Sequence, residues 1–493
     1  MEKRFSGLPV EGDPFQLAQR ISVNYLWDKP LPGGPFEVRS NSVSSSDSSQ
    51  EVKARPDWSN DPRNALNWRM WKKVYNSSVP ALLSFASSFG SSVYSPAVFE
   101  VEARFNVSTT MALLPLTLYV FGLGFGPVIG APLSETYGRR FVYLVTPPLS
   151  MLFTVGSALS KNFGTLLACR FLAGMMGSPP LAVGAGTNID MWPVQHRARA
   201  VSLYLFAPFL GPSLGPAIGG YLAQYKGWQW TQWIMVIIGG AIWAYSLGSE
   251  ETYGKVILKK EAKKLGLPPE SDDGPKGLAA IKLLLTVTIT RPIHMLFTEP
   301  IVALYSIYTA FNFAVLFIFF EAFPIVFMGV YGFSLGECGL SFMGITVGCL
   351  LSVAVSNIVD RLTHFKKLQQ KIAAGGEASL PPEQRLHNAM IGSLLLPIGL
   401  FWFAWTARHD NSSALYLVEV YGPLNGASAI AANGLLRYAL GGSFPLFAVQ
   451  MYQRLGIGWA TSLLGFITVS LLPVPWLFFL WGPRIRERSK FKL

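Results

Sequence analysis

The chain has 493 residues, of which 51% are hydrophobic and only 14% are charged. Soluble proteins carry roughly 25% charged residues, so an ordinary soluble enzyme is excluded. The formal net charge of +12 could indicate nucleic acid, but the basic residues flank long apolar stretches, which indicates membrane surfaces instead. Three cysteines are too few for a disulfide framework. The composition therefore predicts an all-α polytopic membrane protein that binds lipid and no nucleic acid.

Uncharged stretches of about 20 residues, the length that crosses a bilayer as a helix, fall into two groups. Residues 1–73 hold a serine-rich tract and too few apolar residues for a core, so we expect a disordered cytoplasmic arm. A six-helix bundle is predicted at 74–250 and a cytoplasmic connector at 251–297. A second transmembrane bundle at 298–483 is followed by a basic cytoplasmic tail at 484–493.

The basic residues also predict the orientation, because lysine and arginine favour the cytoplasmic side of short loops. With the N-terminus inside and twelve spans, the inner segments hold 33 of the 40 basic residues. Both termini are therefore expected in the cytoplasm, and we expect a plasma-membrane location. Asn106 and Asn411 each begin an Asn-X-Ser sequence and fall in outer loops, so they are candidate glycosylation sites.

A charged string, APLSETYGRR, joins the second and third predicted spans. A carboxylate at a helix end, a glycine turn and two arginines would form a charged gating loop at the inner surface. Its partner could be a neighbouring helix N-terminus or the loop that holds Arg197 and Arg199, and the alternative is an ordinary short basic loop. The string resembles the loop motif of the major facilitator superfamily. The residues that carry this resemblance are Glu135, Gly138, Arg139 and Arg140.

The fifth predicted span contains GPSLGPAIGG, with glycines four residues apart. Such spacing permits close approach of helix backbones, so a packing role and a direct functional role are both open. The string resembles the antiporter motif of drug exporters in the same superfamily, which implies transport out of the cell. Its members are Gly211, Gly215, Pro216, Gly219 and Gly220.

Charged residues inside the predicted spans are candidates for proton coupling. An arginine at mid-membrane costs about 3 kcal/mol, so Arg170 is expected to face a bundle interior, unless it lies near the outer interface and reaches water. The superfamily carries an arginine at this place in the fourth span, with an implied role in proton coupling. Glu321 is the carboxylate we expect to face a cavity and exchange protons, and Asp190 is a second candidate that could simply end a helix.

Further strings extend the resemblance over about 57–483. They include DPRNALNW at 61–68, ETY at 251–253 and WATSLLGF at 459–466, and they resemble fungal twelve-span drug:proton antiporters. The resemblance implies two six-helix bundles related as pseudo-repeats. The chain departs from the family at 409–433, where the tenth span is short or missing.

The interpretation is a secondary transporter, not an enzyme, that exports small organic compounds such as drugs, toxins or secondary metabolites by alternating access. Protons and the substrate are the expected partners, and a monomer without cofactor or metal is expected. The alternatives are a proton-coupled nutrient symporter and a degenerate, inactive protein. The substrate cavity is expected to involve Tyr94, Tyr119, Tyr305, Asn312 and Phe313, whose aromatic and small polar groups suit organic molecules.

Overall fold

The computed structural model of the protein describes residues 58, 60–264, 290–329, 332–360, 363, 370, 386–403 and 413–487. All regular elements in this part of the chain are helices, as the sequence predicts. The helices of the first half are α1 (Met70–Ser92), α2 (Val98–Phe105), α3 (Thr109–Tyr137), α4 (Arg139–Ala158), α5 (Phe163–Gly177), α6 (Pro179–Met191), α7 (Val194–Lys226), α8 (Gln229–Ser246) and α9 (Gly254–Lys264). Those of the second half are α10 (Arg291–Thr298), α11 (Pro300–Phe323), α12 (Leu335–Ser341), α13 (Met343–Asp360), α14 (His387–Phe403), α15 (Ser413–Leu471) and α16 (Pro473–Glu487).

Seven stretches in the described ranges are long and apolar enough to cross a membrane. They are Thr109–Tyr137, Arg139–Ala158, Phe163–Met191, Ala200–Lys226, Pro300–Met328, Leu335–Ser352 and Trp459–Gly482. The other predicted spans coincide with α1, α8, α14 and the first part of α15, which are also helical. The prediction of a disordered arm at 1–73 is wrong for its last part, because Ala65–Asn67 and the start of α1 are helical and Trp68 is buried. The arm before residue 58, most of the connector and the end of the tail lie outside the described residues.

Helix α15 passes through the predicted tenth-span region without a break. Within the described residues there is thus no turn between the tenth and eleventh predicted spans, and the short or missing tenth span stays a prediction. The helix is not straight, because Tyr452 Oη and Thr461 Oγ1 lie 3.1 Å apart, whereas nine residues of straight helix rise about 13.5 Å. The bend lies after Tyr452, where the sequence predicts that the eleventh span, at about 435–452, ends.

Glycines allow the helices of the first bundle to touch through their backbones. On α3, a side chain at Gly122 would collide with the Phe171 carbonyl of α5. The reverse contact involves Gly174 of α5, whose missing side chain leaves room for the Tyr119 carbonyl. These contacts are of the small-residue type that drives helix association in lipid. They fix α5, and with it Arg170, against α3.

The two halves of the chain meet where α7 and α3 of the first half pack against helices of the second. Helix α7 packs against α12 and α13, and α3 packs against α15. Hydrogen bonds that cross between the halves join Gly336 N to Gln224 Oε1 at 2.8 Å, Thr346 Oγ1 to Ser213 Oγ at 2.8 Å, Thr117 Oγ1 to the Gly442 carbonyl at 2.9 Å, and Thr110 to Gln450 at 2.9 Å. These contacts lie between the middle and the predicted outer end of the helices.

Candidate functional site

Arg170 lies inside the first bundle and is completely buried. Its guanidinium donates to the carbonyl oxygens of Gly90 at 3.1 Å and Pro115 at 3.3 Å, and to Gln232 Oε1 at 3.3 Å. These partners belong to α1, α3 and α8, so the arginine ties three helices to α5. The alternative that Arg170 extends to water at the outer interface is therefore wrong, because all of its neighbours are protein groups.

Two of the predicted cavity tyrosines form the aromatic walls around this arginine. The Arg170 guanidinium lies 4.4 Å from the ring centre of Tyr119 and 5.1 Å from that of Tyr94. Both hydroxyls donate to backbone carbonyls, Tyr119 to Ser87 at 3.0 Å and Tyr94 to Ala112 at 2.8 Å. The structure therefore places both rings in the packed interior of the first bundle, and cation–π attraction replaces a carboxylate as the counterpart of Arg170. We call Arg170, Tyr94 and Tyr119 the arginine cluster.

Glu321 approaches the arginine cluster from the second half of the chain. It lies near the end of α11 and is only 7% exposed, and it interacts electrostatically with Tyr94. The four ion pairs found among the described residues do not include it. Both charged groups that the sequence singled out therefore adjoin Tyr94, Arg170 by contact with its ring and Glu321 through its charge.

A second arginine lies at the contact between the two halves. The Arg437 guanidinium is 4.9 Å from the ring centre of Phe313 and 4.7 Å from that of Tyr438, and it donates to the Tyr438 hydroxyl at 2.9 Å. The sequence analysis gave Arg437 no role, because it lies only two residues inside the predicted eleventh span. The overlooked signal was the charge itself, which is expensive at membrane depth.

The gating-loop residues form a third group at the predicted inner end. Arg139 Nε contacts Asp190 Oδ2 at 3.2 Å, and its Nη1 donates to Ser134 Oγ at 2.8 Å. Asp190 is thus the ion-pair partner of the loop motif, which assigns it to this inner end and not to the surroundings of Arg170. Glu135 lies exposed at the end of α3, one turn before Arg139.

Glu251 completes this inner group, although the sequence analysis did not select it as a site residue. Its carboxylate accepts from the backbone N–H groups of Arg139 at 2.8 Å, Arg140 at 3.2 Å, Thr252 at 3.1 Å and Tyr253 at 3.0 Å. A carboxylate at the first turn of α4 is favoured by the unpaired N–H groups there. Glu251 thus binds the N-terminus of α4, which is the motif's own helix, while Arg197 of the second expected partner interacts electrostatically with Asp190.

Two local features stabilise this inner group around Glu251 and Arg139. Gly138 has φ +101°, and any side chain there would collide with the Glu251 carboxylate, so glycine is needed for both reasons. The Tyr253 ring lies 4.8 Å from the Arg139 guanidinium. Burial raises the pKa of Tyr253 to about 12, so the phenol stays neutral and the ring serves as a cation–π surface.

Replacing Glu251 with glutamine is expected to destabilise the inner group by about 1–3 kcal/mol, the range for hydrogen bonds to a charged group. One carboxylate oxygen becomes an NH2 donor that faces a backbone N–H. The thermal unfolding of purified Glu251→Gln in detergent measures the effect. Glu250→Gln is the matched control, because the Glu250 side chain is 55% exposed beside Lys72. Equal unfolding temperatures for the two variants would contradict this account of Glu251.

The antiporter-motif glycines divide between two contacts. Gly211, Gly215 and Gly219 face α1, where side chains would collide with residues 88–93. Gly220 faces the other half of the chain, where an added Cβ would lie 2.7 Å from the Leu335 carbonyl oxygen. Pro216 presents its carbonyl to Gly339 of α12. The motif thus packs α7 within its own bundle and against the second one at the same time.

The remaining predicted site residues take separate positions. Tyr305 is fully buried in the second half among Met295, Phe478 and their neighbours, so it lies in a packed core and does not line a cavity. Asn312 is buried on α11, next to Phe313, which contacts Arg437. Asn106 is exposed after α2 with φ +51°. Asn411 lies outside the described residues.

Comparison with known proteins gives one consistent result. The family model described as Major Facilitator Superfamily matches residues 81–471. Polyamine transporter 4 of Saccharomyces cerevisiae is 39% identical over 88% of this chain and 73% of its own length. MFS-type transporter traF of Penicillium crustosum is 39% identical over 92% of this chain and 98% of its own. Efflux pump radE of Floropilus chiversii is 35% identical, with coverage of 89% and 86%.

Solved structures resemble the fold as well. A POT family transporter in complex with 5-aminolevulinic acid superposes with a TM-score of 0.55, over 83% of this chain and 96% of that protein. The sequence identity is 11%, so this similarity concerns the fold alone.

Proposed function

Since the chain belongs to the major facilitator superfamily and is a multi-pass membrane transporter, we propose that it exports small organic compounds in exchange for protons. Two of its relatives are named as an efflux pump and a multidrug transporter, which supports the outward direction. The plasma membrane, cytoplasmic termini and action as a single chain are part of the proposal.

One observation carries the proton coupling: Glu321 is a buried carboxylate of the second half that faces Tyr94 of the arginine cluster. An ionised carboxylate is costly to bury without a cationic partner. Arg170 of the first half contacts the ring of the same Tyr94, so a small relative movement of the two halves changes the distance between the two charges. Protonation of Glu321 and the arrangement of the bundles would therefore depend on each other.

The contacts between the two halves support alternating access. The hydrogen bonds that join them lie from the middle to the predicted outer end, around Gln224 and Gly336 at one side and Thr110 and Gln450 at the other. With the predicted orientation, this arrangement is closed to the outside. Export requires the same contacts to open while those at the inner end form.

Replacing Glu321 with glutamine is expected to lower proton-driven transport about tenfold or more, because the side chain can no longer carry the proton. The measurement is substrate movement in sealed vesicles with an imposed pH difference. Substrate exchange without a pH difference should continue, since it needs no proton step.

Glu337→Gln is the control, because Glu337 is exposed and glutamine also suits its position in the capping box at the start of α12. Unchanged proton dependence in Glu321→Gln would exclude Glu321 as the carrier. Movement of substrate together with protons, in the same direction, would instead establish the symporter alternative. Absence of any proton-dependent movement across a broad compound panel would overturn the proposed function.

A further inference from the structure

Arg437 is placed at mid-depth in the transporter, at the junction of the two halves. Tyr438 packs against Gly124, which is close to the middle of α3, and Arg437 itself stacks on Phe313, near the middle of α11. Arg437 also interacts electrostatically with Tyr204 of α7. The guanidinium therefore contacts rings of α11 and α15, and the neighbouring Tyr438 packs against α3 of the first half. We call Arg437, Tyr438, Phe313 and Tyr204 the junction site.

The hydrogen-bonding capacity of Arg437 is mostly unused within the described residues. A guanidinium has five N–H donors, and the hydrogen bond to the Tyr438 hydroxyl is the one found for it there. Its Nε is buried without a partner, and none of the four ion pairs among the described residues involves it. Arg170 differs, since it donates to two carbonyls and an amide.

Placing an arginine with unpaired N–H donors at membrane depth costs free energy, unless an anion binds to the guanidinium. A planar fork of donors matches a carboxylate or a similar oxyanion in two parallel hydrogen bonds. The neighbouring rings of Phe313 and Tyr438 supply aromatic walls for an apolar body. The junction site therefore combines an anion-binding fork with apolar walls.

The same arrangement disfavours an organic cation. The ring faces of Phe313 and Tyr438 that could attract a cation already lie under the Arg437 guanidinium. Glu321, the buried carboxylate of α11, adjoins the arginine cluster instead. A polyamine would thus meet repulsion at this depth, whatever a relative transports.

We propose that the junction site binds the transported compound, and that this compound is an aromatic organic anion held through its carboxylate or phenolate by Arg437. This inference rests on the proposed export function and specifies its substrate class. Arg437 then acts as the specificity-determining residue, and its charge is neutralised when the substrate is bound.

Two dyes with the same ring system test the inference. Fluorescein is anionic near neutral pH, and rhodamine 123 is its cationic methyl-ester counterpart. We expect wild-type protein in sealed vesicles to export fluorescein in preference to rhodamine 123 and spermidine. Arg437→Gln should lower fluorescein export about tenfold or more, the effect of losing a charge-assisted pair, and leave rhodamine 123 export unchanged or increased. Arg437→Lys should fall between the two, since it keeps the charge without the fork.

Arg454→Gln is the matched control, because Arg454 is exposed on the same helix α15. Fluorescence anisotropy of fluorescein with purified wild-type protein gives a readout that depends on no variant. Competition by aromatic carboxylates but not by spermidine is the expected result.

Wild-type export of rhodamine 123 or spermidine without fluorescein would overturn the inference, as would an equal loss of both dyes in Arg437→Gln. Either result leaves the proposed function standing if transport still follows the proton gradient. The proposed function fails separately, when no compound in a wider panel moves in a proton-dependent way.

Discussion

Replacing Gly339 with alanine is expected to lower transport about tenfold or more while leaving both bundles folded. Gly339 lies on α12, and a methyl group there would collide with the Pro216 carbonyl of α7. Because both atoms belong to helix backbones, neither can move aside without separating the helices. The collision acts between the two halves and not within either one, so each half can keep its own packing.

The outer contact could then no longer close, and the protein would remain in the outward-open arrangement. Substrate efflux should fall about tenfold or more, which corresponds to a bias of the two-state equilibrium by about 1.4 kcal/mol. Cysteine labelling from the outer side at Gln224, whose side chain meets Gly336 across the contact, should increase in the variant.

Gly344→Ala is the control for this experiment. Gly344 follows on α13, and a methyl group there meets no atom within 4 Å. The variant should transport as the wild type does. Normal transport by Gly339→Ala would show that the contact between α7 and α12 does not have to close as tightly as it does here.

Replacing Gly219 with valine is expected to cause a loss of folded protein. Gly219 lies on the same helix as Pro216 but faces α1 of its own bundle, where an added Cβ would collide with the Val93 carbonyl. Overpacking of this kind costs about 1–3 kcal/mol, and valine adds two methyl groups to the Cβ that already collides. The yield of monodisperse protein and its unfolding temperature should both decrease.

Gly239→Val serves as the comparison, since the nearest atoms to an added Cβ on Gly239 are those of the flexible Met151 side chain at 3.5 Å. Methionine adapts readily to extra volume. A stable, transport-deficient Gly219→Val would mean that this glycine acts in the transport cycle and not in packing, the reverse of the result expected here.

The contacts of Gly219 and Gly220 resolve a question that the glycine spacing of the antiporter motif left open. The sequence analysis recognised glycines four residues apart but could not separate a packing role from a functional one. The structure assigns Gly211, Gly215 and Gly219 to the contact with α1, and Gly220 with the Pro216 carbonyl to the contact between the halves. Helix α7 therefore packs against α1 of its own bundle on one face and against α12 of the other half on a second face.

The sequence pointed to some of the charged residues that lie within the spans and not to others. Arg170 and Glu321 were selected as charges within the spans, and both are buried next to Tyr94; their part in proton coupling stays a prediction. Arg437 was passed over because a hydropathy pattern places it near a span end, while its neighbours Phe313 and Tyr438 place it at mid-depth. Tyr305 was selected for its type, but a tyrosine ring fits a packed core equally well.

The chain alone determined that the protein is helical and membrane-embedded and which superfamily it resembles. Those properties follow from apolar length and local motifs, which are read over a few tens of neighbouring residues. Tertiary structure decided which groups meet: Glu251 with the start of α4, Glu321 with Tyr94, and Arg437 with Phe313. The partners in each pair are more than 100 residues apart in the chain, and no local pattern encodes a contact that depends on how two bundles pack.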